Sequence, residues 1–176
     1  ARGKRTDLLA KWVNRYDRAV RYEDEQIGQF LKWMEGAGLL DNTIVVLTAD
    51  HGEALFEHGL VGHGETLHQE VIGIPLIIRF PPRMQFQKLI QERVSLVDVG
   101  PTLLSLVKAR FPYETNGKSL VSLLRGESSD RRTLLSEELS EIMYGDPKIA
   151  IIEDDFKAIY RIAERKAIGL YDLEKD

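Results

Sequence analysis

From Leu8 to Gly36, apolar residues recur close to the helical period, at Val13, Tyr16, Val20, Ile27, Phe30, Leu31 and Met34, with charged residues between them. That spacing predicts a long amphipathic helix. Gly36-Ala37-Gly38 ends it, because glycine takes the left-handed cap conformation freely. Asp41-Asn42 then turns the chain into Thr43-Ile44-Val45-Val46-Leu47-Thr48, a run that predicts a buried strand. A helix followed closely by an all-apolar strand predicts a parallel sheet covered on both faces. Residues 52–68 hold Gly52, Gly59, Gly62 and Gly64 without periodicity and read as a surface loop. Val71–Phe80 reads as a second buried strand, stopped by Pro81-Pro82 and restricted near its start by Pro75.

Downstream, Asp98 is placed to cap a helix running through Leu103, Leu104 and Val107, with Pro101 confined to the first turn. Residues 116–129 read as a polar, turn-rich connection. The tail then changes character. Ala150-Ile151-Ile152, Phe156-Lys157-Ala158-Ile159-Tyr160 and Leu170-Tyr171-Asp172-Leu173 are short strands split by turns, which predicts an antiparallel meander. Trp12, Tyr16 and Trp33 read as core, and Glu137, Glu138 and Glu141 as a solvated helix face.

Composition narrows the class. The chain has 176 residues, 43% hydrophobic and 30% charged, as in a globular domain. A net charge of −4 argues against a nucleic-acid or anionic-membrane partner. No apolar run approaches the length of a membrane span. The absence of cysteine excludes disulfides and thiolate metal sites. The Ala-Arg-Gly start resembles a cut made inside a longer protein.

The chemistry concentrates after the first strand. All four histidines (His51, His58, His63 and His68) lie between residues 51 and 68, behind Thr48-Ala49-Asp50-His51-Gly52-Glu53. In open α/β sheets, ligands bind at the carboxyl ends of strands. Asp50 and His51 offer a hard oxygen and an imidazole nitrogen as candidate metal ligands. They can share one ion if the backbone turns, and Gly52 permits that turn. This pair suits calcium, magnesium, manganese or zinc and does not choose among them. Glu53 is either an outer partner that orients His51 or a solvated carboxylate. His58 reads as structural or exposed, and His68 as a packing or capping residue.

Several ordered motifs resemble the sulfatase family of the alkaline phosphatase superfamily. They are Tyr22-Glu23-Asp24-Glu25-Gln26-Ile27-Gly28, Gly38-Leu39-Leu40-Asp41-Asn42-Thr43-Ile44-Val45, Asp50-His51-Gly52-Glu53, Glu57-His58-Gly59, Ile74-Pro75-Leu76-Ile77-Ile78, residues 95–104, and the closing residues 170–176. The resemblance implies an α/β fold: the C-terminal portion of an alkaline-phosphatase-like mixed sheet flanked by helices, plus a small antiparallel C-terminal sheet. The expected division is residues 1–135 for the catalytic-domain part and residues 136–176 for the small subdomain.

The resemblance also implies hydrolysis of a sulfate monoester, on a small molecule or a glycan, at a divalent metal that is usually calcium. Asp50 and His51 match two of the family's metal ligands. The family's nucleophile is a formylglycine made in a Cys/Ser-x-Pro-x-Arg motif, which this sequence lacks. The nucleophile is therefore expected outside this chain, which alone would be inactive and would pair with an N-terminal half of the same protein, or self-associate. His63 stands where sulfatases commonly place a lysine that contacts sulfate. As a cation it could hold a sulfate oxygen or protonate the leaving alcohol; as a neutral imidazole it could bind a metal. Histidine at this offset also resembles the phosphoethanolamine transferases. That leaves two alternatives, a phosphoryl-group member of the superfamily (phosphodiesterase, phosphonate hydrolase or phosphoethanolamine transferase) and a non-catalytic fragment or subunit.

Overall fold

The amphipathic pattern forms α1 (Arg2–Gly36), one uninterrupted helix. It stops where the glycines stand. Leu39 N–H donates to the Met34 carbonyl and Gly38 N–H to the Glu35 carbonyl, both at 2.9 Å, with Gly38 at φ +68°. This is a Schellman closure, and its left-handed residue is one that glycine supplies without a Cβ clash. The structure, a computed structural model, describes residues 2–64, 66–86, 89–127, 131–139 and 146–175. The chain divides into two units.

The first unit holds α1, the strand β1 (Val45–Thr48), the short strands β2 (Ala54–Leu55) and β3 (Val61–Gly62), the helical turn α2 (Gln69–Ile72) and the strand β4 (Leu76–Arg79). The two apolar runs form strands as expected and pair with one another in opposite directions: Val45 faces Arg79 and Thr48 faces Leu76. The expected parallel pairing is therefore corrected, since an all-apolar pattern reports burial and carries no strand direction. Burial is also only partial. The cross-strand pair Leu47 and Ile77 remains exposed on one face of the ladder. Val71 and Ile72 belong to α2 and not to the following strand. Arg79 donates to the Leu40 carbonyl at 2.8 Å, and Arg83 to the Asp41 carbonyl at 3.2 Å and the Asn42 side chain at 2.6 Å. These bonds tie β4 and its exit to the turn after α1.

Trp12, Tyr16 and Trp33, expected in the core, are exposed, as are Leu8, Val20 and Phe30. Leu8, Trp12, Tyr16 and Val20 follow one another at four-residue steps, a stripe running along one side of the helix. The periodicity was a sound guide to the helix. It does not say what covers the stripe, and the first unit's short strands leave it open.

The second unit holds α3 (Val99–Leu106), α4 (Val121–Leu124) and the antiparallel strands β5 (Leu134–Glu138), β6 (Lys148–Glu153), β7 (Phe156–Arg161) and β8 (Lys166–Asp172), in the order β5-β6-β7-β8. The expected meander is present and gains β5 as a fourth strand. Glu137 and Glu138 lie on that strand and not on a helix. Glu138 is buried opposite its cross-strand partner Lys148, at 3.7 Å, while Glu141 lies outside the described residues. The stretch read as a polar connection contains α4, whose Leu123 and Leu124 are buried together with Leu120.

Asp98 immediately precedes α3, yet its side chain makes no cap hydrogen bond to that helix. It turns back on the preceding 3-10 turn instead, accepting from Ser95 N–H at 2.8 Å, from Lys118 N–H at 2.8 Å and from both terminal nitrogens of Arg132. Burial pushes this carboxyl up. The Arg132 guanidinium and the two backbone amides outweigh burial and hold it below the ordinary carboxylate range. Among the described residues, no helix is long and apolar enough to cross a membrane.

Candidate metal centre

β1 ends at Thr48 and delivers Asp50 and His51 just beyond the strand. The Asp50 carboxylate is 87% exposed, with Oδ1 accepting the His51 backbone N–H at 3.0 Å. His51 Nδ1–H donates to the Gly52 carbonyl at 2.9 Å. Nε2 thereby keeps its lone pair, and it lies 3.8 Å from Asp50 Oδ2. A carbonyl that takes the proton on one ring nitrogen while the other stays free is the usual setting of a metal-binding histidine. Donors roughly at right angles on a cation with bonds of about 2.3–2.6 Å lie about 3.3–3.7 Å apart. The pair therefore fits a divalent ion in both donor type and spacing.

Gly52 holds this segment against α2. Its N–H donates to the Val71 carbonyl at 2.7 Å, and a Cβ on it would overlap the Glu70 carbonyl. Only glycine lets the segment carrying Asp50 and His51 lie so close against α2.

The supposed loop is a short hairpin. β2 and β3 pair antiparallel, Ala54 with Gly62 and Leu55 with Val61. Continued by one residue, that register sets Glu53 opposite His63. His63 Nδ1–H donates to Glu53 Oε2 at 2.8 Å. Glu53 is thus the partner of His63 and not of His51, whose Nδ1 is already engaged by Gly52. The rings of His51 and His63 stack with centroids 4.0 Å apart. Gly62 at φ +95° and Gly64 at φ +97° flank His63.

His58 and His68 form a second histidine pair, stacked at 3.8 Å with their rings nearly parallel. His58 Nδ1–H donates to Glu70 Oε1 at 2.9 Å. Burial raises the Glu70 carboxyl, but its own backbone N–H and His58 lower it further, leaving it below its usual range. His68 occupies the N-cap position of α2, where its carbonyl accepts from Val71 and Ile72. The sequence signals that would have joined Glu53 to His63 were the glycines on both sides of His63 and the alternation His51-x-Glu53.

Residues 3–109 match the family model described as Sulfatase, and residues 57–176 match that of N-sulphoglucosamine sulphohydrolase, C-terminal. The chain belongs to the sulfatase family. It is 34% identical, over 94% of its length, to 31% of an N-acetylglucosamine-6-O-sulfatase of Bacteroides thetaiotaomicron. It is 31% identical, over 75% of its length, to 27% of the multifunctional alkaline phosphatase superfamily protein PehA of Trinickia caryophylli. The chain thus spans about a third of the length of the curated relatives it matches. Among solved structures, one bound to its substrate D-glucosamine-2-N,6-O-disulfate superposes with a TM-score of 0.72, at 29% identity over 87% of this chain and 32% of that one. A phosphonate monoester hydrolase of Silicibacter pomeroyi gives 0.71, at 25% identity over 87% of this chain and 33% of that one. The sulfatase resemblance carried by the sequence motifs therefore stands, together with the alkaline-phosphatase-like α/β fold.

Proposed function

We propose that the protein to which this chain contributes hydrolyses sulfate monoesters at a divalent ion, with Asp50 and His51 as two of its ligands and His63 directed at the sulfate. Family membership supports the chemistry. The observation that carries the site is the free Nε2 of His51, oriented by the Gly52 carbonyl and 3.8 Å from the exposed carboxylate of Asp50. The ion is calcium, as in the family at large, and when bound it supplies Lewis-acid polarisation of the ester oxygens. Asp50 contributes negative charge at the mouth of the site, and Gly52 keeps His51 facing it. His63, held at Nδ1 by Glu53, acts here as the imidazolium, whose Nε2–H donates to a sulfate oxygen or passes its proton to the leaving alcohol. The formylglycine nucleophile is assigned to residues outside these 176. The substrate class is a sulfated amino sugar, by analogy with the relatives that act on glucosamine sulfates.

The test uses full-length protein and an aryl sulfate. Asp50→Ala and His51→Ala each lower kcat/KM by at least about 100-fold, and His63→Ala lowers it by about 10–100-fold. Undiminished turnover in the first two would remove the metal-ligand assignment. A second reading, hydrolysis of a phosphonate or phosphate ester, rests on the phosphonate hydrolase, which superposes nearly as well (0.71 against 0.72) but at lower identity (25% against 29%). An aryl phosphonate hydrolysed faster than the sulfate would select it.

A further inference from the structure

We propose that the β2–β3 hairpin carries a second set of ion ligands, His51, Glu53 and His63, which takes a first-row transition ion of the zinc class in place of calcium. This goes beyond the site proposed above, in which neither Glu53 nor His63 is a ligand. One ligand atom from each of the three residues lies within 4.8 Å of the others. The arrangement follows from the fold. The rings of His51 and His63 stack with centroids 4.0 Å apart, and the β2–β3 register places residue 63 across from residue 53. Gly62 and Gly64 carry no side chain beside His63, and a Cβ on Gly62 would already reach Glu53 Oε1 at 3.7 Å.

Donor chemistry sets the preference. Two imidazoles and one carboxylate suit zinc, cobalt, nickel or copper, whereas calcium prefers a shell made mostly of oxygens and is poorly served by two nitrogens out of three. Ligands about 2.0–2.2 Å from a tetrahedral ion lie roughly 3.3–3.6 Å apart, so the three groups must close by about 1 Å and the Nδ1–H···Oε2 bond between His63 and Glu53 must open to let both turn onto the ion. They can. The side chains of His51 and His63 are 42% and 47% exposed, and that of Glu53 is 25% exposed. While its Nδ1–H stays on the Gly52 carbonyl, His51 has one nitrogen to give. It can serve Asp50's ion or the triad's ion, but not both. A zinc-class ion in the triad therefore withdraws His51 and His63 together from the sulfate site.

The experiment exploits the absence of cysteine from the chain. Cobalt(II) is titrated into the chain and into His63→Cys, Glu53→Gln and Asp50→Asn, with far-UV circular dichroism as the check on folding. The expected result is an intense visible band of four-coordinate cobalt in the parent chain. His63→Cys adds a sulfur-to-cobalt charge-transfer band that no other residue of this sequence can produce. Glu53→Gln weakens cobalt and zinc binding by at least about tenfold, and Asp50→Asn changes it less than about threefold. A folded His63→Cys lacking the sulfur band overturns the proposal. Should that variant not fold, unchanged affinity in Glu53→Gln overturns it instead. If Asp50→Asn abolishes cobalt binding while Glu53→Gln does not, the ion sits on the Asp50–His51 pair, and the triad fails while the family site stands.

Discussion

Asp50, in the first unit, leaves its carboxylate almost wholly in water, with no hydrogen bond to Oδ2 among the described residues, whereas Asp98, in the second, is fully buried and accepts from two backbone amides and an arginine. The same side chain stands just after an apolar run in both places. What separates them is whether the lone pairs are spent. Those of Asp98 are taken by Ser95, Lys118 and Arg132, so it binds parts of the fold to one another. Those of Asp50 are largely unclaimed, so it can bind something that is not part of the chain. Burial and saturation mark Asp98 as a structural carboxylate; exposure beside an oriented imidazole leaves Asp50 open to the ligand role proposed for it.

The largest way to break this contrast is Asp98→Ala. It strands the Arg132 guanidinium and two amides, and it should destabilise the second unit by about 3–5 kcal/mol, measured by urea denaturation. A loss under 1 kcal/mol would show that the network is incidental. Acid sharpens the same point. Because the folded pKa of Asp98 lies below its unfolded value, its contribution is fully present above that unfolded value, near pH 4, and is lost as pH falls from there through the folded pKa. Stability should therefore fall off below about pH 4, and Asp98→Asn should flatten that limb of the curve. The smallest stability effect belongs to Asp50→Asn. It should shift folding free energy by no more than about 0.5 kcal/mol, since little of the fold leans on that carboxylate. A large loss there would make Asp50 structural after all.

Much of this was legible in the sequence because it depends on local pattern. α1, its glycine stop, the two apolar strands and three strands of the meander follow from periodicity and turn residues. What was missed depends on partners. The exposure of Trp12 and Trp33 and the antiparallel pairing of β1 with β4 are set by what packs alongside, which spacing does not encode. β5 was hidden by Glu137 and Glu138, two acids that look solvated until Lys148 is found across the ladder from Glu138. α4 was hidden within a polar stretch by its brevity. At the site, adjacency in sequence sufficed to join Asp50 with His51. Joining Glu53 to His63 required the hairpin register, and that register rests on two residue pairs too short to announce themselves.

Both tryptophans of the chain stand on α1, and both face solvent. Intrinsic emission excited at the indole band therefore reports on a single helix, starts from a wet environment, and shifts little when that helix melts. The carboxylate clasp and the β5–β8 sheet are silent in that signal, so their unfolding has to be followed through tyrosine absorbance or backbone dichroism.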